Sequence, residues 1–484
     1  MARSYAEALD YIHGLQRFGS RLGLERVRRL LRAVGDPHVG LRVVHVAGTN
    51  GKGSVSAMTA SILQAAGYRV GLYISPYVID FRERIQVDGT FIPEDELAEL
   101  VWDHLAPAAA RLAAAGPDAQ VTEFELVTAL GFLHFARSRV DFLVCEVGLG
   151  GRFDATNVID RPALAVVTSI GFDHTDRLGV TLREIAAEKA GVLKRAAPAV
   201  SAPQEPEALE VIAAAARRRG CPFYLAGREE EGGHGGPGPG VLGRGPTGGL
   251  PVSTGGSPRA GRVRLRQASL RGQILDYRGP GFSSEEGLAL PLLGPHQVDN
   301  AATALTAVGV LKAHGLAPGL DSRALREGLA RTAWPARFEV FGDAPPVVVD
   351  GAHNPPGARC LARALRELLP GRRLVLVLGL LGDKDVDSFL RALLPPELPE
   401  VAAVVATQPP SPRAMPAVDL AARILALGPG LEVAVRPGVG EAVRQAVGLA
   451  GPSDAVCVAG SIYQAGEARE AARAAVESRR EGRG

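Results

Sequence analysis

The chain has 484 residues, which at roughly 150 per domain predicts two or three domains and excludes a peptide, a small disulfide module or a lone binding domain. Hydrophobic residues make up 46% and charged residues 22%, the balance of a globular chain rather than a disordered or coiled-coil one. The 54 Lys and Arg against 52 Asp and Glu leave a net charge of +2, too little to attract nucleic acid or an anionic membrane, so any bound anion must be held by local geometry.

The opening MARSYAEALDYIHGLQRF carries charge where a signal peptide needs apolar residues, and no later apolar run approaches the roughly 18 residues of a membrane span. A cytoplasmic monomer is expected. Cys145, Cys221, Cys360 and Cys457 lie far apart with no CxxC pair or His-rich neighbour, which argues against a zinc site or a disulfide framework.

Residues 22–34 space their apolar positions as an amphipathic helix, ended by Gly35, Pro37 and Gly40. Strand and helix patterns then alternate: a strand at 41–48, a helix at 53–66, a strand at 68–74, helices at 93–115 and 121–138, and strands at 142–148 and 163–170. A helix at 181–194, a short strand at 198–201 and a helix at 205–219 continue the series, which predicts a mostly parallel sheet covered on both faces. Residues 227–260 are more than half Gly or Pro and read as a surface insertion, because few side chains there could offset the entropy of ordering it. Deleting 232–258 is expected to leave stability and turnover nearly unchanged.

Two hairpin-like strands follow, at 261–270 and 273–278, and a helix starts around Gln297. Strand patterns at 347–355, 372–379, 401–407, 431–435 and 454–460, with helices between them, then form a second α/β set. The expected architecture is a P-loop-containing, mostly parallel sheet domain over 1–295, followed by a smaller Rossmann-like α/β domain over 296–484.

The sharpest chemical signal is HVAGTNGKGSVS, where a strand ends at Gly48 and a helix begins just past Lys52. Backbone N–H groups of such a loop point inward at a phosphate, and a Lys at the helix start reaches the outer phosphates. The run Gly48-Thr49-Asn50-Gly51-Lys52-Gly53-Ser54 is shorter before its Gly-Lys pair than the generic nucleotide loop, and its hydroxyl comes one residue later. ATP binding is the reading that strand, turn, Lys and hydroxyl support together.

A triphosphate calls for Mg2+ and oxygen ligands. Glu146 closes the apolar run DFLVCEV, where a carboxylate is expensive unless a metal or cation meets it; a metal ligand and a structural carboxylate both fit. His174 in GFDHTDRLG and Ser75 in YISPYV follow strands as candidate ligands or as ordinary turn residues, and Lys189 in IAAEKAG reads by default as a solvated lysine. In the second half Asp350, His353 and Asn354 follow the valine run of VVVDGAHNP, Lys384 lies in LLGDKD, and GSIYQAGE closes the last strand. Polar residues at such strand ends line a crevice.

Taken together, GTNGKGS, SPYVIDFRERI, TEFE, EVGLGGRFDATN, TSIGFDHTDRLG, IAAEKAG, HQVDNAATAL, DGAHNP and GSIYQAGE, in this order over nearly the whole chain, resemble the Mur ligase superfamily and within it the folylpolyglutamate synthase and dihydrofolate synthase family. The resemblance implies that Thr49 to Ser54, with Lys52 as the catalytic cation, cradle the ATP phosphates, and that Asn300, Arg337 and Asp350 contact ATP. It makes Ser75, Glu146 and His174 ligands of magnesium, with two ions, and makes Lys189 a lysine carbamylated by CO2. The same resemblance places His353 by the active cleft as a further catalytic residue. Phe124 and the segment around Asp154 belong to the pterin or folate pocket, as does Tyr77, which stands where the family usually has His after Ser-Pro.

The implied reaction turns a carboxylate of folate or dihydropteroate into an acyl phosphate at the expense of ATP, after which the amine of L-glutamate displaces phosphate. A UDP-muramyl amino-acid ligase is the nearest alternative.

Overall fold

The computed structural model describes residues 4–19, 21, 23–229 and 260–481. Most of the Gly/Pro-rich segment 227–260 therefore lies outside the described residues.

The larger sheet contains β1 (Val43–Ala47), β2 (Val70–Tyr73), β3 (Ile85–Val87), β4 (Thr90–Phe91), β5 (Phe142–Glu146), β6 (Leu164–Val167), β7 (Ala199–Ser201), β8 (Phe223–Arg228), β9 (Ala260–Ser269), β10 (Gly272–Gly279) and β11 (Phe282–Leu290). Their order across the sheet is β11-β10-β9-β8-β7-β6-β1-β5-β2-β3-β4. The seven strands from β9 through β2 pair in parallel, and an antiparallel strand pair flanks each end.

Both faces are covered, as a parallel sheet requires. On one face the Val44 and Val46 side chains of β1 pack with Val55, Met58 and Ile62 of α1 (Lys52–Ala65). On the other, Leu126 and Leu130 of α2 (Glu123–Arg137) meet Leu143 and Cys145, while Ile185 and Ala186 of α3 (Leu182–Lys189) meet Ala165 and Val167. Thr122 caps α2 and Thr181 caps α3, each in a capping box with a Glu three residues on.

The boundary expected at 295 is displaced. Helix α4 (Pro295–Ala313) carries Val298, Ala301, Leu305 and Val308 at 0% exposure into the same core as β1 and α1. Helix α5 (Ser322–Ala330) adds Leu325 and Leu329 to that core, so burial holds the chain on the first sheet until residue 330. The second sheet begins with β12 (Glu339–Phe341) and continues with β13 (Val347–Val349), β14 (Leu374–Leu378), β15 (Val401–Ala406), β16 (Glu432–Val435) and β17 (Ala455–Ala459), ordered β12-β13-β17-β14-β15-β16. Only β12 runs antiparallel among these six.

The pairing of β8 with β9 bears on the deletion expected to be harmless. The two strands are parallel, with Leu225 opposite Ala260, so the chain must return to the start of β9. Parallel strands need a connection of about a dozen residues or more. Removing 232–258 would leave only Glu230, Glu231 and Arg259 beyond the strand-paired Glu229, which is too short a return.

Candidate active site

The loop between β1 and α1 is fixed from two sides. Gly51 has φ +86°, and a Cβ there would come within 2.3 Å of the Asn300 Oδ1 of α4, so only glycine fits. From the loop after β6, Thr168 Oγ1 donates to Asn50 O (2.7 Å), and Ser169 O accepts from Thr49 N (2.9 Å). From α4, Gln297 Nε2 donates to Ser54 Oγ (3.2 Å) and its Oε1 accepts from Asn300 Nδ2 (3.0 Å).

Two ammonium groups converge on this loop. Lys52 Nζ donates to Gly48 O (3.2 Å) and Thr49 O (3.1 Å), and Lys189 Nζ donates to the same Gly48 O at 2.8 Å. Lys189 is therefore not a solvated lysine: it is 4% exposed. Burial, reinforced by the charge of Lys52, pulls its amine down to about 7.

A cavity of about 470 Å³ opens over the loop and is lined by Thr49 to Ser54, Ser75, Glu146, His174, Lys189, Asn300, Arg337, Asp350 and His353 among others. Burial pushes the Glu146 carboxyl up to about 7, against the pull of Lys52 and the Ser75 N–H at 3.4 Å. The Ser75 Oγ is buried and has no hydrogen-bond partner. Burial brings His174 down to about 4 against the opposing pull of Asp173, so its imidazole is neutral near pH 7 with a lone pair to offer. An orphaned hydroxyl, an undercompensated carboxylate and a neutral imidazole suit a hard cation that keeps phosphate and water oxygens as its other ligands. No group of three His, Cys, Asp or Glu side chains able to hold a metal by themselves occurs among the described residues.

Backbone strain marks the same place. His174 has φ +51°, and Arg337 is flanked by Ala336 at +55° and Phe338 at +48°, a conformation that costs non-glycine residues on the order of 1 kcal/mol or more each. Asp350 holds the Arg337 turn, accepting from Phe338 N and from Ala352 N at 2.8 Å each.

A second cavity, about 640 Å³, is lined by Phe124, Phe153, Asp154, Arg84, Lys384, Arg413 and Tyr463 among others, and it shares Ser75, His174, Arg337 and His353 with the first. Tyr77 lines neither cavity. Its ring packs edge-on against Phe81 at 5.8 Å and lies beneath the Arg84 guanidinium at 5.3 Å, so it supports a lining residue from behind. Asp154 lines the second cavity, but its carboxylate is engaged by its own loop, accepting from Leu149 N (2.8 Å) and Thr156 N (3.0 Å).

Asp173, in the GFDHTDRLG run, and Lys384, in LLGDKD, come from separate halves of the sequence. They meet across the two sheets at 2.8 Å, with side chains 10% and 14% exposed. Asn354 Nδ2 donates to Asp173 Oδ2 (3.0 Å) and to Asn50 Oδ1 (3.1 Å), and Asn50 Nδ2 returns a bond to Asn354 Oδ1 (3.3 Å). Burial pushes the Asp173 carboxyl up, but His174, Lys384 and His353 outweigh it and hold the group well below the usual carboxylate range. The residue types at two strand ends were the only sequence signal for this junction.

Two α/β layers meeting over a phosphate-binding loop are the arrangement of an enzyme that works on a nucleotide held between them. The Mur ligase middle domain matches residues 46–308, and the Mur ligase glutamate ligase domain matches residues 336–462. The chain is 38% identical over 395 residues to a dihydrofolate synthase/folylpolyglutamate synthase of Bacillus subtilis, covering 81% of this chain and 83% of that protein. Among solved structures it is similar to Mycobacterium tuberculosis folylpolyglutamate synthase complexed with ADP and AMPPCP, with a TM-score of 0.81, 33% identity and coverage of 96% and 98% of the two chains. It is also similar to Escherichia coli FolC in complex with DHPP and ADP, with a TM-score of 0.79, 30% identity and coverage of 99% of each chain. The chain belongs to the folylpolyglutamate synthase/dihydrofolate synthase family within the Mur ligase superfamily.

Proposed function

We propose that this chain spends ATP to join L-glutamate to the carboxylate of a folate, and also to dihydropteroate. The observation that carries this reading is the wall common to the two cavities: Ser75, His174, Arg337 and His353 stand between the phosphate-binding loop and an aromatic, cationic chamber. A carboxylate entering from the larger chamber meets the nucleotide's end there.

The residues present fit magnesium, which Ser75, Glu146 and His174 would hold; bound there, it would neutralise phosphate oxygens. Lys52 and Arg337 bring positive charge to the phosphoryl group from opposite layers, stabilising charge that develops in transfer. The carboxylate oxygen bonds to the γ-phosphorus as ADP leaves, and the glutamate amine then bonds to the acyl carbon as phosphate leaves. Arg84 gives the chamber a cation suited to a substrate carboxylate, while Lys384 and Arg413, which also line it, are paired with Asp173 and Asp383. Lys189, buried and partly neutral near pH 7, is suited to carbamylation, in which its amine bonds to the carbon of CO2 and releases a proton.

Purified protein with ATP, Mg2+ and glutamate is expected to form amide with tetrahydrofolate and with dihydropteroate, turning over ATP repeatedly only when acceptor and glutamate are both present. Amide formation on a UDP-muramyl acceptor alone would overturn the folate reading.

The junction between the layers has its own expected outcome. An acyl phosphate must be shielded from water, and Asp173 with Lys384 holds the layers together over it. Asp173→Asn and Lys384→Met should each raise the ADP released per amide formed several-fold, measured in parallel assays. An unchanged ratio would show that the pair does not guard the intermediate.

A further inference from the structure

His45 lies mid-strand in β1, at 0% exposure, and the reaction above makes no use of it. Strand alternation turns it away from the Val44 and Val46 face, next to Cys145 of β5 and Ala165 of β6. There its Nε2 is 2.9 Å from Thr156 Oγ1, which is 2.5 Å from Asp154 Oδ1.

Donor counting fixes the direction of this chain. Burial raises the Asp154 carboxyl against the hydrogen bonds it accepts from Leu149 N and Thr156 N; as a carboxylate it has no proton to give, and the single Thr156 hydroxyl proton goes to it. The Thr156 oxygen can then only accept from His45, which places the imidazole proton on Nε2. Nδ1 is left bare, and it is indeed buried without a partner. Burial, with the nearby charge of Lys194, holds the ring down at about 3, so it stays neutral.

The chain ends on the wall between the two cavities. Gly148, Leu149 and Gly150 line both, and a Cβ on Gly148 would come within 2.4 Å of the Phe124 ring, so this wall packs directly against a residue that lines the larger chamber and not the smaller one. We infer that His45 and Thr156 are positioning residues, a His45–Thr156–Asp154 hydrogen-bond chain that sets this wall and thereby acceptor binding, not nucleotide binding. The kinetic part of this inference rests on the proposed acceptor reading; the tautomer does not.

Nuclear magnetic resonance of the full chain labelled with 15N-histidine, with His45 assigned through His45→Gln, should show a proton on Nε2 and no titration between pH 6 and 8. Thr156→Val, folded by circular dichroism, should raise the acceptor KM about tenfold, the worth of a buried charge-assisted hydrogen bond. The ATP KM should stay unchanged, and Thr156→Ser should restore the acceptor KM. An Nδ1–H tautomer or a titrating ring would overturn the hydrogen-bond chain whether or not the protein is active on folates. Equal rises in both KM values, or no recovery in Thr156→Ser, would overturn the positioning role. If Thr156→Val does not fold, Thr156→Ala takes its place in the KM comparison with the same outcomes.

Discussion

Replacing Lys52 by alanine is expected to lower kcat by at least roughly 100-fold, the loss that follows deletion of a group aimed at transition-state charge. The side chain reaches no apolar core: its ammonium bonds only the Gly48 and Thr49 carbonyls of its own loop. The loop itself is held elsewhere, by Thr168, Ser169, Gln297 and Asn300, so circular dichroism and the thermal midpoint should be unchanged. A variant keeping more than a tenth of wild-type kcat would show that Lys52 does not act on the transferred phosphoryl group.

Lys189→Ala should lose most activity for a different reason. A buried ammonium beside Lys52 places two positive charges on one loop, a repulsion that the low local dielectric strengthens. The proposed carbamylation would reverse one sign. The reaction consumes the neutral amine, and with the group at about 7 that form is on the order of 10^3 times more abundant at pH 7 than for an ordinary lysine. The pH dependence follows: as pH falls below 7 the ammonium takes over and the carbamate is lost, and as pH rises the amine is available. Activity should therefore drop in CO2-depleted buffer at pH 6 and recover with bicarbonate, and 13C-labelled CO2 should give a carbamate resonance absent from Lys189→Ala. Acetate or formate should partly restore the alanine variant. Full activity without Lys189 would return the residue to a structural role.

The P-loop was legible because its meaning is local: a strand, a turn and a Lys within a few residues specify a cradle before any partner is known. The strand-end residues Ser75, Glu146 and His174 were legible as types, and only the resemblance joined them, since they come from three separate crossovers. Strands β8 and β11 went unread, β8 because it runs straight into the Gly/Pro-rich segment and β11 because its pattern passes into LALPLLGPHQ. The boundary at 295 failed for a related reason, since Gly294 and Pro295 look like punctuation between domains yet serve to start a central buried helix. Asp173 and Lys384 are 211 residues apart, so no spacing pattern could couple them.

The reciprocal side-chain hydrogen bonds between Asn50 and Asn354 tie the P-loop of the first layer to the start of α6 (Pro355–Leu368) in the second. The two layers are consequently not interchangeable modules. In a chimera that borrows its second layer from a relative, the incoming chain would have to present an amide at the position of Asn354 and a cation at that of Lys384, or Asn50 and Asp173 would be left as stranded polar groups in a half-dry seam. Recombination between relatives is thereby limited to pairs of layers whose residues still match across the seam.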